Sequence, residues 1–152
     1  MVKSYRGVQE TPPKVENQNL QIKHFMSKNV ITFKEDQTVD EVVQTLVKRN
    51  ISGAPVVNQA GQLCGVISEG DCLKEFVSGK YTNSLSKSGQ VRDFMTTVVE
   101  TMDPEIDIFE AADTFLKRRV RRFPVVKDGK LLGQLSQRDV MRAIQNLKNE
   151  TW

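Results

Sequence analysis

The 152-residue sequence predicts an α/β protein made of two similar β-α-β-β-α units. The first observation is an internal repeat at an offset of 69 residues, as from Phe25 to Phe94. The second is that short β-branched stretches alternate with segments of helical periodicity in both halves. The third is size, because a unit of this kind cannot cover both faces of its own small sheet. We therefore expect the two units to pack sheet to sheet about a pseudo-twofold axis.

The repeat is clearest around two prolines. The stretch "RNISGAPVV" at 49–57 matches "RRVRRFPVV" at 118–126, and "GQLCGVISEGD" at 61–71 matches "GKLLGQLSQRD" at 129–139. A Ser/Gly/Asn-rich segment between the halves is typical of a linker. The alignment predicts an N-terminal arm at 1–19, a first repeat at 20–79, a linker at 80–89 and a second repeat at 90–152.

The elements of the first repeat follow from local patterns. A β-branched strand is expected at 29–33, and Thr38 with Glu41 forms a capping box before a segment of helical spacing. Two strands follow, "APVVN" and "LCGVI", with a glycine turn between them. A second helix begins at Ser68 and carries Cys72, Leu73, Phe76 and Val77 on one face.

The second repeat predicts the same order of elements. The expected ranges are a strand near 98–101, a helix at 106–118, strands at 123–126 and 131–135, and a helix at 136–148. The last helix is amphipathic, with Val140, Met141, Ile144 and Leu147 on one face.

Composition argues against several classes of protein. The net charge of +3 is slight, and no apolar run approaches the roughly 20 residues of a membrane span. The polar start has no signal-peptide pattern. Cys64 and Cys72 lack metal-site spacing, so we expect free, buried thiols in a reducing cytoplasm. With a lone His24, no nucleophile–base pair and no P-loop, an enzyme is the least expected class.

The elements "HFMSKNVIT", "ISGAPVV" and "GQLCGVISEGD", with their partners "DFMTTVVET", "VRRFPVV" and "GKLLGQLSQRD", resemble the CBS domain. Two copies in register over about residues 20–148 resemble a tandem CBS pair, or Bateman module, of the stand-alone type. The resemblance implies a regulatory module, usually without catalysis, in which two copies usually associate into a homodimer. It also implies an adenosine-containing ligand bound between the repeats, such as AMP, ADP, ATP, S-adenosylmethionine or an NAD-type molecule.

Matched positions carry the family's ligand residues onto two clefts. In the family, the acid of the S-x-x-D element accepts hydrogen bonds from the ribose hydroxyls, and the Thr-bearing strand and the residues around the proline hold the base. Cleft one would combine Thr32, Ala54 and Pro55 with Ser136 and Asp139. Cleft two would combine Thr101, Phe123 and Pro124 with Ser68 and Asp71, and with Arg121 and Arg122 on phosphate.

Each of these assignments has a structural alternative. Ser68 with Asp71, and Ser136 with Asp139, could simply cap helices, a role that stabilises a helix by roughly 1 kcal/mol. Arg118 and Arg119 fit the end of a helix, where cations are favourable. Arg121 and Arg122 follow that helix in a short turn, so phosphate binding in cleft two explains them better. The Phe123 side chain could point into the cleft or into the core.

Three functions remain open at this stage. The first is an adenine-nucleotide sensor that acts on an unknown protein partner. The second is a structural or stress-related dimer that binds no small molecule. The third is nucleic-acid binding through the basic stretch from Lys117 to Arg122, which lacks the interleaved aromatic residues of a stacking surface. No metal or catalytic cofactor is expected.

Overall fold

The computed structural model describes residues 2–5, 20–82 and 88–151. Along the chain these residues form β1 (Val2–Tyr5), α1 (Val39–Arg49), β2 (Gly53–Val57), β3 (Leu63–Ser68), α2 (Glu69–Thr82), α3 (Val91–Phe94), β4 (Val99–Met102), α4 (Ile108–Arg118), β5 (Arg122–Lys127), β6 (Lys130–Ser136) and α5 (Gln137–Thr151), with a 3-10 turn at Ile22–His24. The strands build a four-stranded sheet in the order β1-β4-β5-β6 and a two-stranded sheet of β2 and β3. The predicted α/β class is confirmed.

The chain divides into two compact units. Unit 1 contains Val2 and Val30–Val99, and unit 2 contains the described parts of Lys3–Asn29 and Glu100–Trp152. The division does not follow the sequence repeat, because the first residues of each repeat belong to the unit built mainly by the other repeat. The predicted repeat boundaries therefore mark segments of similar sequence, whereas the boundaries of the two units mark segments that pack together.

Unit 2 takes its first core residues from the first repeat. Ile22 is fully buried among residues of β4, α4, β5 and α5, and its amide donates to the carbonyl of Ile106 at 2.9 Å. Ser27 pairs with Gln134 of β6 as an isolated bridge. The core of this unit consists of Leu20, Ile22, Met102, Ile106, Ile108, Ala111, Phe115, Phe123, Val125, Leu135, Val140 and Ala143.

Unit 1 shows the reciprocal arrangement. Val91 of the second repeat is fully buried with α1, β2 and Ile67 of β3, and its amide donates to the carbonyl of Gln37 at 2.9 Å. Thr96 pairs with Val66 of β3 as an isolated bridge. Each repeat therefore completes a core that it does not itself contain.

The helices begin where the sequence indicates. Thr38 precedes α1 and its hydroxyl accepts from the Glu41 amide at 3.2 Å, while Asp107 precedes α4 and accepts from the Glu110 amide at 2.9 Å. These bonds satisfy amide groups that the first turn of a helix leaves unpaired. The observed bounds of α1, α4 and α5 agree with prediction within a few residues.

The strand expected at 29–33 is shorter than predicted. Only Phe33 pairs, through a parallel bridge to Val56, with its amide donating to Pro55 and its carbonyl accepting from Val57. The reason lies in the path of the chain, which pairs with unit 2 at Ser27 and with unit 1 at Phe33. The residues between those two points cross from one unit to the other and form no ladder.

Candidate functional site

The S-x-x-D element of the first repeat forms a compact capping box. The Ser68 amide and hydroxyl both donate to Asp71 Oδ2, at 2.9 Å and 3.0 Å, and the Asp71 amide donates back to Ser68 Oγ at 3.4 Å. Asp71 is only 6% exposed. Within the described part of the chain, Oδ1 of this carboxylate takes no hydrogen bond, because both side-chain bonds arrive at Oδ2.

The equivalent element of the second repeat differs at the second carboxylate oxygen. Asp139 Oδ2 accepts from the Ser136 amide at 2.8 Å, and the Asp139 amide donates to Ser136 Oγ at 3.1 Å. Asp139 Oδ1 lies 3.8 Å from an exposed guanidinium nitrogen of Arg142, one turn further along α5. The capping role is therefore confirmed for both elements. The difference lies at Oδ1, which faces Arg142 in Asp139 and accepts no hydrogen bond from a described residue in Asp71.

In each unit the turn before the proline-bearing strand, β2 or β5, lies beside the amino end of the helix that follows the hairpin, α2 or α5. The Glu69 amide donates to the carbonyl of Ser52 at 2.9 Å, and the Gln137 amide donates to the carbonyl of Arg121 at 3.4 Å. Arg122 also stands opposite Ser136 in the antiparallel ladder of β5 and β6. Unit 2 thus brings Arg121 and Arg122 next to Ser136 at the start of α5, a residue that was predicted for cleft one, whereas Ser68 and Asp71, their predicted partners in cleft two, belong to unit 1.

The basic stretch that ends α4 is not uniform. Lys117 pairs with Asp113 at 2.8 Å, Arg118 lies 3.8 Å from Glu100, and Arg119 ends the helix in the left-handed region at φ 53°. Arg121 and Arg122 are exposed and form no ion pair with any described residue. The helix-end position predicted for Arg118 and Arg119 agrees with the end of α4, and Lys117 is held by Asp113, whereas Arg121 and Arg122 have no ion pair within the described residues.

The Phe123 side chain lies in the core of unit 2. It is fully buried, and its ring meets that of Phe115 edge to face with centroids 5.0 Å apart. Its counterpart Ala54 is buried in unit 1, and the neighbouring prolines Pro55 and Pro124 are buried as well. Of the two orientations left open for Phe123, the inward one is therefore found, and only its backbone could contact a ligand.

The two threonines expected to contact the base differ in exposure. Thr101 lies in β4 and is fully buried, whereas its counterpart Thr32 is partly exposed and precedes the bridge at Phe33. The combinations of Thr32 with Asp139, and of Thr101 with Asp71, join residues of different compact units. Both clefts therefore remain predictions.

Asp107 and Glu110 form a pair of neighbouring carboxylates at the start of α4 that the sequence motifs did not indicate. Glu110 Oε2 is buried without a hydrogen-bond partner, and burial, with the nearby charge of Asp107, raises the pKa of Glu110. The counterpart Glu41 accepts from Gln37 Nε2 at 2.9 Å, and this bond holds the pKa of Glu41 below its usual value. The difference between Glu110 and Glu41 could have been predicted from the repeat alignment. Ile106 stands at the position of Gln37, so the second repeat lacks the side-chain amide that donates to Glu41 in the first.

The cysteines are free, as predicted, and neither is activated. Cys72 is buried and Cys64 is partly buried. Burial raises the pKa of both thiols, and for Cys64 burial together with Glu35 raises it to about 11. Because the thiolate is the nucleophile, neither side chain has the character of a reactive cysteine.

The family model of the CBS domain matches the chain twice, at residues 22–78 and 91–146. The chain therefore belongs to the CBS domain family, and it carries a pair of these domains. None of the described helices has the length and apolar character needed to cross a membrane.

Two curated relatives illustrate the similarity. The uncharacterised protein MJ1225 of Methanocaldococcus jannaschii is 29% identical over 126 residues, which cover 83% of this chain and 43% of that protein. The chloroplastic CBS domain-containing protein CBSX2 of Arabidopsis thaliana is 31% identical over 147 residues, covering 81% of this chain and 62% of that protein. The chain thus spans about half the length of these two relatives.

Solved structures give the same result. A crystal structure of CBSX2 in complex with AMP matches with a TM-score of 0.72 at 31% identity, covering 84% of this chain and 98% of that chain. The CBS domain pair of protein MJ0100, in complex with 5'-methylthioadenosine and S-adenosyl-L-methionine, matches with a TM-score of 0.64 at 25% identity. That match covers 84% of this chain and 97% of the MJ0100 chain.

Proposed function

We propose that this protein is a regulatory sensor that binds an adenosine-containing ligand and transmits the binding to a partner protein. The observation that carries the proposal is the state of Asp71. Its carboxylate is held by its cap through Oδ2 alone, so Oδ1 can accept from ribose hydroxyls without breaking the helix start. A carboxylate suits a ribose diol because it only accepts hydrogen bonds.

Two similar proteins support this chemistry. CBSX2 has been crystallised in complex with AMP, and the MJ0100 domain pair in complex with 5'-methylthioadenosine and S-adenosyl-L-methionine. An adenosine moiety is common to all three ligands, whereas the group at the 5' position differs. We therefore propose that the site requires the adenosine moiety. The residues of this chain near the 5' group would then decide which adenosine compound binds.

Arg121 and Arg122 favour a phosphorylated ligand over an uncharged one. Both guanidinium groups are exposed and form no ion pair with described residues, and the first repeat has Ser52 and Gly53 at the same positions. Guanidinium groups bind phosphate with charge-assisted and often bidentate hydrogen bonds. We propose that AMP, ADP or ATP binds in the cleft served by these arginines, and that the other cleft is weaker or takes a less charged adenosine compound.

The test is a binding panel with matched variants. Isothermal titration and thermal unfolding should compare AMP, ADP, ATP, NAD and S-adenosylmethionine, with guanosine monophosphate as a control. A ligand at a hundred times its dissociation constant adds roughly 2.7 kcal/mol to the free energy of unfolding. Asp71→Asn keeps a carbonyl oxygen for the cap and should weaken binding at least tenfold. Wild-type affinity in both Asp71→Asn and Asp139→Asn would reject the ribose assignment.

A dimer without a small-molecule ligand is the second candidate. It is favoured by α2, which buries Cys72 and leaves Leu73 65% and Phe76 62% exposed. A second copy of the chain is the occupant we propose for this face, and the same dimer is compatible with the sensor. The absence of any thermal shift across the panel, together with a stable dimer, would favour this second function.

Nucleic-acid binding is the weakest alternative. Two of the five cations from Lys117 to Arg122 are engaged locally, by Asp113 and by Glu100. We keep a short DNA duplex in the panel as its test. The cytoplasmic location stays a proposal as well, since relatives include a mitochondrial and a chloroplastic protein.

A further inference from the structure

Strand β1 occupies the edge of the sheet beside a predicted ligand residue. The order β1-β4-β5-β6 makes β4 an inner strand, with β5 on one side and β1 on the other. Thr101 lies in β4. Adjacent strands run about 4.8 Å apart, so β1 uses the backbone groups that β4 would otherwise present at a free edge.

The same position in unit 1 has no such neighbour. In the described part of unit 1, the chain around Thr32 pairs only through Phe33 and Val56, on the side of β2. Thr32 is partly exposed, whereas Thr101 is fully buried. The two repeats thus differ at equivalent threonines in both strand pairing and accessibility.

A strand of four residues is a marginal element. Its few ladder hydrogen bonds give a small net gain, and ordering its backbone costs a comparable amount of conformational entropy. Short edge strands of this kind open at a lower free energy than the buried core of a domain. Detachment of β1 therefore requires no unfolding of unit 2.

We propose that β1 is a detachable strap that restricts ligand access to Thr101. This inference rests on the proposed function, because it concerns the cleft to which Thr101 is assigned. With the strap docked the cleft is incompetent, and the apparent dissociation constant is the intrinsic one divided by the open fraction. By linkage, a ligand at Thr101 favours the released strap to the same extent.

The test compares the full chain with three variants. One lacks residues 2–5, one carries Ser4→Pro inside β1, and the third, Val15→Pro, is a control at a sequence position beyond Tyr5, the last residue of β1. A proline in β1 removes a backbone donor and disfavours the pairing. Hydrogen exchange without ligand should show at least fivefold faster exchange of the β4 amides in the first two variants, with the amides of β2 and β3 unchanged. The Val15→Pro chain should match the parent.

Titration with AMP measures whether the strap affects ligand affinity. Removal of residues 2–5 should tighten binding at least threefold, and an added Thr101→Val substitution should abolish that gain. If the β4 amides exchanged at the same rate in the parent and in the β1 variants, the strap proposal would be wrong, irrespective of the AMP affinities. Faster β4 exchange with unchanged AMP affinity would overturn its gating role while leaving the sensor intact. If neither parent nor variant bound any compound of the panel, the sensor would fail and the gate with it.

Discussion

Ser27 and Gln134 exchange two backbone hydrogen bonds, each 2.9 Å long, although they lie near opposite ends of the chain. Thr96 and Val66 make the equivalent exchange in unit 1, at 2.8 Å and 3.0 Å. In each case the segment that begins one repeat closes on the last strand of the other repeat. Each compact unit is therefore built from segments of both repeats.

The pairing of Ser27 with β6 requires a glycine at position 133 of that strand. A Cβ built on Gly133 would lie 2.5 Å from the carbonyl oxygen of Ser27 and 2.9 Å from the sulfur of Met26. Gly133→Ala should lower the free energy of unfolding by about 1–3 kcal/mol, because backbone at that distance cannot yield easily. Urea denaturation measures the change.

Gly70→Ala is the matched control for Gly133→Ala. It lies in α2, where the nearest atom to an added Cβ is Ser68 Oγ at 3.7 Å. Since alanine favours a helix over glycine by up to about 1 kcal/mol, this variant should be neutral or more stable. An equal loss of stability in both variants would show that the close approach to Ser27 is not the cause.

Reciprocal closure also predicts where a core mutation acts. Ile22 belongs to the first repeat by sequence, yet it is buried in the core of unit 2. Ile22→Ala should cost about 2–4 kcal/mol and should accelerate hydrogen exchange in β5, β6 and α5 before it affects β2 and β3. Val91→Ala is the mirror image and should weaken unit 1 first. The reverse pattern of exchange would contradict the assignment of these residues to the two units.

The sequence predicted the local elements well for a physical reason. Capping by Thr38, Ser68 and Ser136 is determined within four residues, and the helical spacing of apolar residues is likewise local. The exchange of segments is not local. Leu20 and Ile22 have the same apolar pattern whichever core they enter, so the repeat alone could not indicate that they join unit 2.

The candidate site was predictable in part. The capping geometry of Asp71 and Asp139 follows from the S-x-x-D spacing, but the pairing of Asp139 with Arg142 needed coordinates. The direction of the Phe123 side chain depends on what fills the core beside Phe115, which no local pattern specifies. The assembly of the two clefts stays a prediction.

The unpaired carboxylate of Glu110 predicts an unusual pH dependence. A carboxyl whose pKa is raised by folding contributes stability that is complete below the unfolded pKa, near 4.5, and is lost as pH rises through the folded pKa. Glu110→Gln removes the charge and should raise the free energy of unfolding at pH 7, with a smaller gain at pH 4. Chemical denaturation at several pH values measures this.

Glu41→Gln is the control with the opposite sign. The pKa of Glu41 is lowered, chiefly by the hydrogen bond from Gln37, so its contribution is present above the unfolded pKa and lost as pH falls through the folded pKa. Its replacement should not stabilise the protein at pH 7. Equal effects of the two substitutions would mean that the exchange of Gln37 for Ile106 between the repeats does not account for the difference.

Arg121 and Arg122, which form no ion pair with the residues that the structure describes, predict selectivity for phosphate. Arg122→Ala should weaken AMP and ATP binding by roughly tenfold to a hundredfold, as expected for a lost charge-assisted contact, and should leave adenosine binding within twofold. Arg118→Ala removes a cation that lies 3.8 Å from Glu100 and serves as the charge-matched control. Equal losses in both variants would indicate a general electrostatic effect, which added salt would also suppress.

The apolar face of α2 predicts the state of association. Leu73, Phe76 and Val77 are each at least half exposed, and burying such side chains against a second copy is worth roughly 1.5–3 kcal/mol for each one. Phe76→Asp should convert a dimer into a monomer in light scattering while leaving the circular dichroism spectrum unchanged, because the side chain packs little within its own unit. Leu132→Asp, at an exposed leucine of β6 in unit 2, introduces the same charge outside α2 and should leave the dimer intact. A monomeric parent, or dissociation by Leu132→Asp alone, would show that α2 is not the dimer interface.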